Sequence, residues 1–177
     1  MTDDWDRLDE KLSMLEGMSD IIEESVAPQI CEIMRNYAVG RLDAVVYDSN
    51  PNPVTGNLRN SVETSEDIII REGKTSVIMG IQTSADYAKY IEFGTGTKGS
   101  ADYNGHTSEG VTFSSKDRWF QHNPDYNGDF GENNDPEHRE WIMRFAQNPR
   151  PFMRPALYDN VGLFADVISG EIKGVFD

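Results

Sequence analysis

SVETSEDIIIREGKTSVIMGI, residues 61–81, is the stretch on which the fold turns. Its two arms, 61–70 and 75–81, are rich in β-branched residues and are parted by Glu72-Gly73-Lys74. Such runs around a short glycine-bearing break predict an antiparallel hairpin. In the first arm Val62, Thr64, Glu66, Ile68 and Ile70 share one face, and in the second Val77, Met79 and Ile81 do. Because side chains alternate along a strand, the hairpin has an apolar side to lay against a helix.

That helix is expected upstream. Leu8, Leu12, Leu15, Ile22, Val26, Ile30, Ile33 and Tyr37 recur in steps of three and four or their sums, the stripe of one long amphipathic N-terminal helix. Pro28 removes a backbone donor and crowds the preceding turn, which predicts a kink or a break into two helices. The helical pattern fades over 40–46, and DSNPNP at 48–53 is a run of turn formers. Beyond the hairpin, residues 85–93 predict a short helix with Tyr87, Tyr90 and Ile91 on its buried side and Ser84 as its N-cap. Gly94-Thr95-Gly96 ends it. The chain closes with Ala156, Leu157, Val161, Phe164, Val167 and Ile168 at helical spacing, a second core helix with Pro155 suited to its first turn.

Between 97 and 148 the composition turns to Gly, Asn, Asp and Ser punctuated by aromatic residues. The segment reads as an inserted flap or small subdomain, with a hairpin around 111–120 and a short helix over 136–145. Residues 1–96 and 149–177 then form a single core domain. The rings of the insertion either cover a small satellite core or dock onto a partner; Trp119, Phe120, Tyr126 and Trp141 are the docking candidates. Asp125, Asn127 and Asp129 imitate the opening of a calcium loop, but Phe130 stands where that loop needs glycine and Pro136 where it needs glutamate. No metal site is assigned; an irregular calcium or sodium site would have to draw on Asp125, Asp129, Glu132 and Asp135. His122 and His138 read as solvated loop residues.

The 177 residues carry 31 acidic against 16 basic side chains, a formal net charge of −15. Such a surface repels phosphate, so direct DNA binding is not expected over most of it. Abundant Asp with little Lys beside Arg suits a host cytoplasm of very high salt, where screening removes the self-repulsion of an acidic shell. No apolar run approaches the roughly 20 residues of a membrane helix. The acidic N-terminus does not read as a secretory signal, so a cytoplasmic site of synthesis is expected. Cys31 is the single cysteine and there are three histidines, too few for a disulfide within the chain or a Cys/His zinc site of the usual kind. No cofactor is expected. Glu92 is a lone carboxylate without a matched acid, base or metal partner, and no nucleophile motif or phosphate loop accompanies it, so the chain is not expected to be an enzyme.

Three phrases remain: PVTGNLRNS at 53–61, YAKYIEFGT at 87–95 and RPFMRPAL at 150–157. Thr55-Gly56 allows a sharp turn, after which Leu58 re-enters the core as the strand begins. Arg59 points outward, either solvated or paired with an acidic neighbouring subunit. Arg154, at a helix start where a cation is unfavourable, needs an acid to hold it. Together and in this order, the phrases resemble the neck and tail-completion family of long-tailed double-stranded DNA bacteriophages. The resemblance covers about two thirds of the chain and leaves the 97–148 insertion outside it.

The resemblance implies an α+β fold: a long N-terminal helix and a C-terminal helix packed on a small antiparallel β-sheet. It also implies a structural virion protein of the head-tail neck, assembled in the host cytoplasm as a homo-oligomeric, hexameric ring. Its partners would be the tail terminator, the head-closure ring and the tail-tube protein, with DNA passing nearby without specific binding and no membrane. Subunit contacts and structural joints would fall at Thr55, Gly56, Leu58, Arg59, Ser61, Tyr87, Tyr90, Glu92, Phe93, Gly94, Pro151, Phe152, Arg154 and Pro155. A different class of function is a virion-surface module that recognises carbohydrate or host envelope through the aromatic insertion. A third, a hydrolase using clustered carboxylates, lacks the motifs such chemistry requires.

Overall fold

The computed structural model of the chain describes residues 13–14, 17–47, 56–71, 74–122 and 141–176. Helices with small antiparallel sheets make this an α+β protein. The chain divides into two compact units, Met1–Asp86 with Phe152–Asp177, and Tyr87–Pro151. The second unit takes in the phrase at 87–95 as well as the residues expected to form the insertion. The reason is local: Thr95 N–H donates to Gln147 O at 2.9 Å, and Arg150 N–H donates to Ile91 O at 2.8 Å. These bonds stitch the start of the segment to its end.

In the first unit the chain is helical without interruption from 17 to 47. Pro28 does not split it. The turn before it, Ile22–Val26, is widened to π geometry, and Ala27 N–H reaches back to Ile22 O. An i→i−5 turn relieves the crowding that a proline ring imposes on the turn before it. Helix α1 (Ala27–Leu42) follows, then a second π turn, Asp43–Tyr47. The helix therefore runs through 40–46, where the apolar pattern thins. Its buried row is Ala27, Ile30, Cys31, Met34, Ala38 and Leu42. Val26 and Ile30 lie on the expected stripe, but Ile33 and Tyr37 are only half-buried and sit at its margin. Small side chains at 27, 31 and 38 leave room for other elements to approach the helix closely.

Helix α2 (Asn57–Asn60) is a single turn leading into β1 (Val62–Arg71), which pairs antiparallel with β2 (Lys74–Thr83). The register sets Ile68 opposite Val77, Glu66 opposite Met79 and Thr64 opposite Ile81, the alternation expected of the two arms. Val62 is buried and Val77, Met79 and Ile81 are half-buried, whereas Ile78 on the other face is 55% exposed. Helix α1 packs on both strands. Arg35 Nε donates to Val62 O at 3.0 Å, and the Cys31 thiol points at Ser65 O, 3.7 Å away.

The C-terminal part of this unit is two helices rather than one. Helix α4 (Met153–Tyr158), which packs on α1, and helix α5 (Val161–Phe176) meet at a corner. Buried Asn160 makes the corner, its side-chain amide donating to Ala156 O at 3.0 Å and Pro155 O at 3.4 Å while its own carbonyl accepts from Phe164 N–H. The last carbonyls of α4 are thus satisfied without the helix continuing. Gln29 Nε2 to Glu171 Oε1, 2.8 Å, ties α5 to the N-terminal helix.

The second unit begins with helix α3 (Ala88–Phe93) and a 3-10 turn, Gly96–Lys98. A small hairpin, β3 (Asp102–Tyr103) with β4 (His106–Thr107), turns at Asn104-Gly105 with φ of 51° and 82°. Two successive left-handed residues are what a tight two-residue hairpin turn requires. The hairpin is therefore not at 111–120. Strand β5 (Arg118–His122) pairs antiparallel with β6 (Trp141–Phe145), so the described end of the expected 136–145 helix is a strand. The sequence there is apolar and aromatic without a polar face of helical width, and cross-strand pairing settles its conformation.

Candidate functional site

The second unit contains a cavity of about 810 Å³, within the range of ligand-holding clefts. Tyr87, Tyr90 and Phe93 approach it from around α3, and Phe113, Trp119 and Phe145 line it from the loop before β5 and from the β5–β6 ribbon. Tyr90 and Phe145 are 51% and 58% exposed. Lys89, Lys116 and Arg144 also line the cavity, and among the described residues no carboxylate does. In a chain of net charge −15 this is a local reversal of sign. Lys89 Nζ stands 5.2 Å from the centroid of the Tyr90 ring, within reach of its negative face.

Backbone geometry holds the cavity wall together. Gly94 has φ 72°, and a Cβ there would overlap Gln147 O and stand 2.7 Å from Pro149 N. Only glycine lets α3 stop here with the 147–149 strand of chain against it. Gln147 N–H returns a bond to the Thr95 hydroxyl at 3.0 Å, and Ala146 N–H donates to Asp117 O at 2.7 Å. The Thr97 hydroxyl donates to the Asp117 carboxylate. That acid, next in sequence to Lys116, is engaged outside the cavity lining.

Helix α3 buries Ala88 and Glu92 rather than the tyrosines. Tyr87 is its N-cap residue and is 42% exposed, and no side chain caps the helix, so Ser84 does not serve that role. Ile91 and Phe93 are half-buried. A six-residue helix turns less than twice, and which side faces inward is decided by the bonds from Arg150 and Thr95, not by its apolar content. Glu92 is 3% exposed and is not without a partner.

The other sites divide as follows. Leu58 is 1% exposed and lies in α2, one turn before the strand. Gly56 caps α2 in left-handed geometry, φ 72°. Arg59 pairs within its own chain, Nε to Asp43 Oδ1 at 3.0 Å, with both side chains close to half exposed. The Ser61 hydroxyl meets Leu58 O at 2.8 Å and the Thr83 hydroxyl at 2.6 Å, so it clamps the base of the hairpin. Phe152 and Pro155 are buried, Pro151 is half-buried, and Arg154 is 7% exposed and partnered. Thr55, Tyr126, Asp125, Asp129, Glu132 and Asp135 lie outside the described residues, as do the side chains of Phe120 and Trp141. Among the described residues no cluster of His, Cys, Asp and Glu could hold a metal ion, and no helix is long and apolar enough to cross a membrane.

No protein-family model, curated protein or solved structure matches the chain.

Chemically, the cavity offers ring faces for apolar groups and cations for negative ones. The Cys31 thiol, in the other unit, is a poor nucleophile: burial first, then the neighbouring Glu66, push it above its ordinary value of 9.0. Sequence reading singled out Tyr87, Tyr90, Phe93 and Trp119 but not Lys89, Lys116 or Arg144. Those three are spread over 56 positions and share no motif; what signal existed was Lys89 next to Tyr90 and Arg144 next to Phe145 in an acidic chain.

Proposed function

We propose that this chain is a structural protein of the head-tail neck of a tailed double-stranded DNA virus, standing there as a ring of identical subunits. The observation that carries the reading is the ordered set of phrases at 53–61, 87–95 and 150–157. The described residues of these phrases occupy structural posts: Gly56 and Gly94 at turns of positive φ, Leu58 and Phe152 buried, Ser61 at the root of the hairpin. The exposed apolar residues of α4 and α5 add support. Leu157, Val161, Leu163 and Ile168 are 41%, 56%, 52% and 38% exposed, more than a helix in water ordinarily presents, and burial against other subunits would stabilise it. A negative lining suits a conduit through which DNA slides without sticking. Partners of the ring would be the tail terminator, the head-closure ring and the tail tube.

Light scattering on the eluting peak of a sizing column, for the chain alone and with a tail-terminator protein, tests this reading. A ring mass and co-elution are expected. Electron microscopy of intact particles without this chain at the head-tail junction would sink it.

A second reading is favoured by one observation, the ring-lined cavity of the second unit. Exposed aromatic faces beside fixed polar groups suit a sugar, which would make the chain a virion-surface module binding carbohydrate or host envelope. A monomer that ignores neck proteins yet binds an oligosaccharide is the result that selects it.

A further inference from the structure

The cavity of the second unit joins aromatic faces to positive charge, and the two together select among sugars. We propose that it is a binding site for an acidic sugar, a pyranose bearing a carboxylate at the end of a short glycan. The assignment rests on the carbohydrate reading of the cavity and names the class of sugar. Because the lining lies wholly within the second unit, the site is the same in a single copy and in a ring.

The strand register fixes one wall. Trp119 stands opposite Arg144 across β5 and β6, and residues directly opposite on paired strands project from the same face. The indole and the guanidinium therefore leave the same side of the ribbon, and both residues line the cavity. Lys89 and Tyr90 come from α3, the ammonium 5.2 Å from the ring centroid, with Tyr87 just before the helix. Lys116 adds a third cation from the loop before β5, and no carboxylate is among the described lining residues. Each wall thus sets a cation near an aromatic ring. The ring gives a flat apolar surface for the C–H face of a pyranose, and the cation meets a carboxylate carried at that pyranose's edge. Tyr87 and Tyr90 are 42% and 51% exposed, so their rings are open to such a partner. Thr112, Ser114 and Gln147 in the lining are exposed too, and their hydroxyls and amide suit the hydroxyls of a sugar.

Three features choose a short acidic sugar over other anions. Phosphate groups are commonly held by converging backbone N–H groups. In and beside this wall the N–H groups of Thr95, Lys116, Ala146 and Gln147 already donate to Gln147 O, the Ser114 hydroxyl, Asp117 O and Thr95, which leaves recognition to side chains. A long polyanion, whether nucleic acid or acidic polysaccharide, would run out of the cavity onto a chain of net charge −15 and be repelled. The ligand therefore carries its charge at one end. Finally, a volume of about 810 Å³ is that of a site for a drug-sized molecule, room for more than one sugar ring and far more than an isolated ion fills.

Matched sugars test it on the full chain: sialyllactose against lactose, and cellobiouronic acid against cellobiose, with Kd read by ligand-observed saturation-transfer NMR. At least one acid is expected to bind about tenfold or more tightly than its neutral partner, the worth of one hydrogen bond to a charged group. Lys89→Gln with Lys116→Gln alters exposed side chains only and is expected to keep the circular dichroism spectrum of the wild type while bringing that acid down to the affinity of its neutral partner. Tyr90→Ala, at an exposed ring, is expected to weaken acid and neutral sugar alike, and Tyr90→Phe to recover most of the loss. Equal binding of acid and neutral sugar, or an acid whose affinity survives the loss of both lysines, overturns the acidic assignment and leaves the carbohydrate reading standing. If none of these sugars binds, both fall. Adenosine monophosphate or glucose 6-phosphate bound more tightly than either acid, and lost with the lysine pair, makes the cavity a phosphate site and also overturns the assignment.

Discussion

Gly94 and Gly56 have the same φ, 72°, but different surroundings. At Gly56 a Cβ meets nothing nearer than Asn60 Nδ2 at 3.9 Å, so Gly56→Ala costs only the left-handed backbone, about 1–2 kcal/mol. Gly94→Ala adds an overlap with Gln147 O to a backbone conformation (φ 72°, ψ −167°) more strictly confined to glycine than the left-handed one of Gly56, and is expected to lose about 3 kcal/mol or more, or to open the second unit outright. Hydrogen exchange on amides 95 and 147 checks this; equal protection in the two variants would contradict the close approach. Cys31 sets a pH dependence. Its thiol is held protonated by burial and by Glu66, so its folded value lies above 9.0. A group raised on folding contributes stability fully below its unfolded value and loses it as pH climbs through the folded one. Denaturant unfolding is therefore expected to weaken above about pH 9, and Cys31→Ala to flatten that decline. Tyr37 pulls the same way above 10.0, raised by burial and by its bond to Asp159, so part of the slope survives in the Cys31 variant. Arg59 teaches a limit of sequence reading at this scale: an arginine expected to look outward is paired with Asp43, sixteen positions upstream, because α2 stands beside the π turn at Asp43–Tyr47.

Among elements, the N-terminal helix and the hairpin were legible because their signals are repetitive. Period 3.6 over 22–37 and period 2 over 62–81 each summed many weak preferences into one conformation. Pro28 was legible as a disturbance but not as to its form. The π turn at Ile22–Val26 absorbs it, so Pro28→Ala is expected to change stability by less than about 1 kcal/mol; a proline straining a regular helix interior would release about 3 kcal/mol on removal. Thermal unfolding of the pair distinguishes the two. The corner between α4 and α5 was not legible, since Asn160 sits inside a run of helical apolar spacing and its effect depends on being buried. Asn160→Ala leaves the Ala156 and Pro155 carbonyls without their side-chain donor and is expected to cost about 1–3 kcal/mol, visible in a denaturant titration. In the second unit the short elements were misread for a related reason. Strands of two and five residues carry too few positions for a period, and β6 takes its conformation from β5 across a long separation in sequence.

At the scale of the molecule, charge and exposed apolar surface decide behaviour. A chain of net −15 repels itself in dilute buffer, so its unfolding midpoint is expected to rise from low salt to molar potassium chloride. A midpoint indifferent to salt would remove the case for a high-salt host. The same acidity makes the basic, ring-lined cavity stand out, and the exposed apolar side chains of Leu157 in α4 and of Val161 and Ile168 in α5 call for a cover.

By itself the sequence determined the classes of element at its periodic stretches, the acidity of the surface, the turn at Gly56 and the likeness of three phrases to a neck-protein family, because each of these is a property of neighbours along the chain. Tertiary structure alone decided which side of α3 is buried, where the second unit begins, that Arg59 finds Asp43, and that Lys89, Lys116 and Arg144 meet around one group of rings. Those outcomes depend on contacts between residues far apart in the chain, and on which of several local preferences the packing of the whole satisfies at least cost.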